Sequence, residues 1–361
     1  MSAIASTAPA GPLVASILMR YRWLAALIFI HAVAAFLTVT SVGLPYEADL
    51  VAYGLGFLVE DIVPFLMLFV AWRALRIALW VRPSHPVRAL LQDLKSVLVN
   101  GRRLVEGLVV LLLMIVMMSS FTQIKAAIPD IVPFSWDTTF KELGETLCFG
   151  ILPWQALWPI FGSPPAAFVL NLIYNAWFFV VVFFLLSAAF SQRDVESRMT
   201  FLCGFVIAWI IGGNLLATIF SSAGPVYYQR LGLGADYAPL MAMLHEDNRI
   251  YPLWALDVQE ALWTSYVSGT GTLKGISAMP SMHNTSIVLV ALYAFRINRG
   301  LGIAMAVYAA AIFIGSITLG WHYAADSLIG AALAVPFWGL GAIMARRSIG
   351  AVEAGDSHRR A

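Results

Sequence analysis

Six histidines occur in the chain, and two of them stand in company that could do chemistry. His283 ends the run Gly275-Ile276-Ser277-Ala278-Met279-Pro280-Ser281-Met282-His283, directly ahead of an apolar stretch. His322 lies in Gly320-Trp321-His322-Tyr323-Ala324-Ala325-Asp326, at the mouth of the last apolar stretch. If one helix carries His322 and Asp326, the two are i and i+4 neighbours on one face, with about 5–6 Å between Cβ atoms. A carboxylate there accepts the Nδ1 proton, fixes the tautomer with its lone pair on Nε2 and makes the ring a better nucleophile. A second histidine nearby would protonate a leaving oxygen and then deprotonate an incoming hydroxyl or water. Two histidines with one carboxylate suit phosphoryl transfer through a phosphohistidine. The Pro280-Ser281-Met282-His283 turn enters a helix, where free backbone N–H groups at the positive end of the dipole can hold phosphate oxygens.

Composition sets the kind of element that must position these residues. Of the 361 residues, 60% are hydrophobic and only 12% are charged, with a mean hydropathy of +0.82, whereas soluble domains average about 25% charged residues. These values exclude a soluble globular protein, a disordered chain and a disulfide-stapled secreted module, and leave an integral membrane protein. Apolar runs of spanning length lie at 23–43, 49–73, 104–127, 166–190, 199–220, 301–319 and 325–345, with a shorter one at 283–297. Unpaired backbone cannot face lipid, so each run must be helical. The expected fold class is therefore all-α, a polytopic membrane bundle of about eight transmembrane helices. The net charge of +2 and the lack of a basic run with interleaved aromatics give no reason to expect nucleic acid as a partner. No metal-ligand cluster is visible, and Cys148 and Cys203 have no metal or redox spacing, so no metal and no cofactor is expected. The first 20 residues do not read as a signal peptide.

The loops set the expected orientation. Arg73, Arg76, Arg82, Arg88, Lys95, Arg102 and Arg103 lie between the second and third spans. Arg20 and Arg22 precede the first span, Arg296 and Arg299 lie between the sixth and seventh, and Arg346 and Arg347 follow the last. All fall on one side of an eight-span chain, while the opposite loops are acidic, so both termini are expected in the cytoplasm. His283, His322 and Asp326 then converge on the extracytoplasmic face. Two segments on that face, 128–165 and 221–282, are too long for simple turns and rich in Trp, Tyr, Pro and Gly; loops of this length usually serve a site. Residues 254–266 read as a helix lying on the membrane surface.

The sequence resembles the type 2 phosphatidic acid phosphatase (PAP2) superfamily over roughly residues 125–345. Met279-Pro280-Ser281-Met282-His283 and His322-Tyr323-Ala324-Ala325-Asp326 look like its second and third signature motifs. The Gly-Trp-His-Tyr-x-x-Asp form, Pro133-Phe134-Ser135-Trp136-Asp137, Pro153-Trp154 and Gly224-Pro225-Val226-Tyr227-Tyr228 resemble the branch of the inositolphosphorylceramide synthases and their bacterial relatives. The resemblance implies a lipid phosphatase or phosphotransferase of the outer leaflet, with His322 as nucleophile, Asp326 as its orienting carboxylate and His283 as general acid and base. It implies a phospholipid or polyprenyl-phosphate-type lipid as substrate, and a six-helix core behind an accessory pair of helices. The divisions expected are a tail at 1–22, the accessory segment at 23–103, the catalytic core at 104–347 and a polar, disordered tail at 348–361.

The chain departs from that pattern in its cations. Phosphatases of the family carry an arginine six residues before the second histidine, where this chain has Ser316. Their first motif, a lysine followed seven residues later by Arg-Pro, is missing, and Arg82-Pro83 falls on the expected cytoplasmic side. Lys274, Arg230 and Lys125 are the extracytoplasmic cations available to substitute, with hydroxyls from Tyr227, Tyr228 and Ser281; Ser281 also suits a plain N-cap. The departures lean towards a transferase, with a phosphatase using water as the alternative. A different class of reading starts from Glu60 and Asp61, ionisable groups inside the second span, where they are costly and often functional. A lipid or ion transporter would use such a pair; a hydrogen bond to His31 in the first span is the plainer reading.

Overall fold

The computed structural model describes residues 10–47, 49–98, 100–270 and 275–360, and for 10–14, 61, 97, 98 and 351–360 the backbone alone. Seven helices are long and apolar enough to cross a membrane, and an eighth, shorter apolar helix spans Met282–Ile297. The long ones are α1 (Ala10–Ser41), α2 (Leu50–Val81), α4 (Gly101–Ile131), α7 (Pro164–Phe190), α8 (Val195–Ile219), α12 (Arg299–Thr318) and α13 (Ala324–Arg360). The short helix is α11, and α3 (Pro86–Leu98) lies between α2 and α4. The two long loops fold into α5 (Asp137–Leu147), α6 (Pro153–Phe161), α9 (Ala238–Asn248) and α10 (Trp254–Ser268). The helix expected over 254–266 is α10. Large apolar side chains such as Phe29, Met67 and Val307 face outward, a surface that hydrocarbon solvates and water does not.

Two boundaries differ from the sequence reading. α1 begins ahead of the apolar run, so Arg20 and Arg22 sit within the helix. α13 continues to Arg360, so the polar tail expected to be disordered extends the last helix.

Charge at one end of the bundle ties α1 into it. Glu106 of α4 is fully buried and receives Arg20 at 2.7 Å, Arg102 at 3.0 Å and Arg198 of α8 at 2.5 Å. Arg198, equally buried, also donates to the Tyr21 hydroxyl and the Ser191 carbonyl. Removing one partner from such a buried group costs about 3–5 kcal/mol, because the other charge is stranded in low dielectric. Deeper in the bundle, His31 donates to Asn214 Oδ1 at 2.9 Å, within the π-helical stretch Ala208–Leu216. The expected partner of His31, the Glu60/Asp61 pair, is therefore replaced by Asn214. Glu60 is exposed, and the Asp61 side chain lies outside the described residues.

Helix α11 meets α13 at a contact that only glycine permits. A Cβ on Gly330 would stand 2.5 Å from the Ser281 carbonyl oxygen and 3.1 Å from Thr285 Oγ1. The Thr285 hydroxyl closes the joint, 2.8 Å from the Gly330 carbonyl and 2.9 Å from that of Ser281. Gly330→Ala is expected to lose about 1–3 kcal/mol through overpacking and to misplace the start of α11. A Cβ on Gly339 would meet open space, so Gly339→Ala, expected to keep or slightly raise the unfolding temperature, is the control when the two are compared by thermal unfolding of the purified chain.

Candidate active site

The site forms where α11 and α13 begin. Ser281 caps α11, its hydroxyl accepting the Asn284 N–H at 3.4 Å. Asp326 lies in the first turn of α13, where the helix dipole favours a carboxylate. The Ser281 N–H donates to the Asp326 carbonyl at 3.1 Å, joining the two starts. His322 stands two residues ahead of α13, in a turn, so the expected single helix from His322 through Asp326 is not what positions it. The contact forms nonetheless. His322 Nδ1 lies 2.9 Å from the Ala278 carbonyl oxygen and 3.2 Å from Asp326 Oδ2. Both partners are acceptors, so Nδ1 carries the proton and the Nε2 of the neutral ring holds a lone pair.

His283 faces that ring, with 5.7 Å between centroids. It packs against two aromatic rings of α7, Tyr174 at 4.6 Å and Trp177 at 4.1 Å. Trp177 Nε1 is anchored on the His283 carbonyl at 3.2 Å and Ser286 Oγ at 3.0 Å. These rings offer π faces at cation–π distance to an imidazolium. Neither ring nitrogen of His283 has a hydrogen-bond partner among the described residues.

The loop 221–228 holds the two motifs in register. Ser222 accepts the Ala278 N–H on its carbonyl at 2.9 Å and the Met279 N–H on its hydroxyl at 3.2 Å. The Val226 N–H donates to the Gly320 carbonyl at 3.0 Å. Between these bonds Gly224 adopts φ +107°, and a Cβ there would lie 2.7 Å from the Trp321 carbonyl oxygen; both facts demand glycine. Asp137 locks this loop from α5. Its carboxylate accepts the Ala223 N–H at 3.0 Å, the Gly224 N–H at 2.8 Å and the Tyr323 hydroxyl at 2.8 Å. Burial pushes the Asp137 carboxyl above its ordinary value, against the pull of these donors.

The expected phosphate ligands separate. Tyr227 donates its hydroxyl to the Gln259 carbonyl at 2.9 Å and stacks on Trp263, so that donor is spent. Tyr228 packs edge-on to Tyr237, which packs in turn on Tyr323; it joins the site through rings. Arg230 pairs with Glu260 at 2.5 Å and lies over Trp263, and it holds the Glu260 carboxyl below its ordinary value. Lys274 lies outside the described residues. Ser281 serves as the N-cap and also receives Asn284 Nδ2 at 3.0 Å. Ser316, in the place of the family arginine, is buried and donates to the Ile312 carbonyl at 2.8 Å while receiving Asn284 Nδ2 at 2.9 Å.

Lys125 of α4 is the cation that reaches the site. Its Cγ and backbone carbonyl pack against Gly275, at the head of the segment that leads to His283. Among the described residues its ammonium makes no ion pair, only a contact with the Phe121 ring at 5.8 Å. The roles of Asp137 in the loop and of the α7 aromatics were not legible in the sequence. The one available signal for Asp137 was its place in the Pro133–Asp137 segment of the family resemblance.

A sequence model of the PAP2 superfamily matches residues 139–340, more than half of the 361-residue chain. The class is thus a polytopic, all-helical membrane protein, and the chain belongs to the PAP2 superfamily. No curated protein and no solved structure matches it.

Asp137→Ala would leave two buried backbone N–H groups and a buried hydroxyl without their acceptor, each worth about 1–3 kcal/mol. The expected result is a large fall in unfolding temperature and accelerated backbone hydrogen exchange at 221–228 and 320–326, measured by mass spectrometry. Unchanged exchange in both segments would remove Asp137 from the scaffold.

Proposed function

We propose that the chain is a lipid phosphotransferase that moves a phospho-headgroup between lipids through a phosphohistidine. The observation that carries this reading is the Nδ1 of His322, held between the Ala278 carbonyl and Asp326 Oδ2. Such a ring presents its Nε2 lone pair to an electrophile, and the carboxylate stabilises the positive charge that the ring acquires on attack.

In the first half-reaction, Nε2 attacks phosphorus and the bond to the leaving oxygen breaks. Protonated His283 gives its proton to that oxygen. In the second, an acceptor hydroxyl attacks the phosphorus, His283 removes its proton, and the bond to Nε2 breaks. His283 ends protonated and His322 neutral, as both began. The negative charge of the bound phosphate and the π faces of Tyr174 and Trp177 favour the protonated form of His283. Lys125 supplies the charge on the phosphoryl oxygens that the family arginine supplies elsewhere, since Ser316 is neutral and engaged and Arg230 is paired. A lipid alcohol as acceptor makes the enzyme a transferase of the inositolphosphorylceramide synthase-like branch, acting on a phospholipid or polyprenyl-phosphate-type donor. Water as acceptor makes it a phosphatase.

The orientation follows the arginines. Arg20, Arg102 and Arg198 gather around Glu106, and Arg346 on Glu196, at the end of the helices away from the histidines. With that end in the cytoplasm, both termini are cytoplasmic and the site faces the exterior of a cell membrane, in bacteria the periplasm. The transport reading rests on Glu60 and Asp61; Glu60 is exposed and makes no hydrogen bond among the described residues.

His322→Ala is expected to lower turnover by at least the roughly 10²–10⁴-fold of a lost acid–base group. Lipid mass spectrometry of membranes holding matched amounts of each chain reads the result. A phospho-headgroup lipid formed only with the wild type names the product, dephosphorylated lipid alone selects the phosphatase, and equal turnover in both overturns the enzyme reading. Lys125→Gln is expected to cost about 10²–10³-fold, as for loss of one donor to a developing charge. Turnover within tenfold of wild type would take Lys125 out of the phosphate site.

A further inference from the structure

The other end of the bundle carries a feature that the phosphotransfer reading leaves unused. Trp23 and Leu27 of α1, Ile207 and Ile211 of α8, and Ile343 and Arg347 of α13 line an open groove of about 270 Å³. Helical rise puts Arg347 about 30 Å along α13 from Asp326, so the arginine end of the groove lies in the leaflet opposite the histidines. Its walls are apolar apart from the arginine. Arg347 is exposed and has no ion pair among the described residues, whereas its neighbour Arg346 is tied to Glu196 at 3.0 Å. A second guanidinium, that of Arg22, lies 5.2 Å from the centroid of the Trp23 ring. No carboxylate pairs with Arg22 among the described residues, and the one buried carboxylate at this end, Glu106, is engaged by three other arginines. An apolar trough, a tryptophan at headgroup level and two guanidiniums without counter-ions among the described residues make a complementary set.

We propose that this groove binds one anionic phospholipid of the arginine-side leaflet, with an acyl chain along the Leu27, Ile207 and Ile343 wall and its phosphate on the guanidiniums of Arg347 and Arg22. An annular lipid would contact the same wall without preference for its headgroup. A site with two such arginines favours an anionic over a zwitterionic headgroup by about tenfold or more.

Trp23 lines the groove and reports on it. The full chain is reconstituted in phosphatidylcholine vesicles, and chain-brominated phosphatidylglycerol is titrated in while tryptophan emission is recorded. The Trp23→Phe chain, carried in parallel, isolates the Trp23 contribution. The expected result is saturable quenching of that contribution, with a midpoint at least tenfold lower in lipid fraction than for brominated phosphatidylcholine. In the Arg22→Ala, Arg347→Ala double variant the midpoint should rise about tenfold, and in the corresponding double lysine variant it should stay near wild type. All three side chains are exposed, so the unfolding temperature of each variant serves as a check on the fold. Quenching that rises linearly with lipid fraction and equally for both headgroups, or a midpoint unmoved in the double alanine variant, would overturn the proposal.

Discussion

The Nδ1–H of His322 is shared by two acceptors that arrive from different parts of the chain. Asp326 is local, four residues on. The Ala278 carbonyl comes from 44 residues upstream and belongs to the segment that delivers His283. One proton therefore sets the tautomer of one histidine and fixes where the other begins its helix. Neither acceptor is free to move. Asp326 is clamped in the first turn of α13, its backbone carbonyl holding the Ser281 N–H. Ala278 hangs from the Ser222 carbonyl, and the loop that contains Ser222 is locked by Asp137. In a low-dielectric interior such bonds are strong when made and costly when left open, which makes the loop a rigid jig rather than a flexible cover.

Phosphoryl transfer needs positive charge at the phosphoryl oxygens. A membrane interior makes unpaired charge expensive. The structure divides its cations accordingly. At the arginine-rich end, Glu106 gathers three of them into a buried network that joins α1, α4 and α8. At the histidine end, Arg230 is neutralised by Glu260 on the surface, and Lys125 approaches from α4 under Gly275 with no carboxylate paired to it among the described residues. The replacement of the family arginine by Ser316 fits this pattern. A serine there completes a neutral cluster with Ser281 and Asn284.

What the sequence determined by itself is local or additive. Hydropathy summed over windows of spanning length located the helices, because lipid imposes one rule on every residue of a span. The motif spacing and the family resemblance singled out His283, His322 and Asp326, although His322 and Asp326 meet across the turn that opens α13 and not on one helix. Asp137 pairs with Tyr323 across 186 residues and His31 with Asn214 across 183, and no periodicity or composition encodes such choices. Tyr227 and Arg230 have the right chemistry for phosphate and lie in the expected segment, yet the Tyr227 hydroxyl is spent on the Gln259 carbonyl and the Arg230 charge is paired with Glu260. The tertiary structure alone decided which polar groups are free, because a donor's availability depends on the acceptors that packing brings beside it.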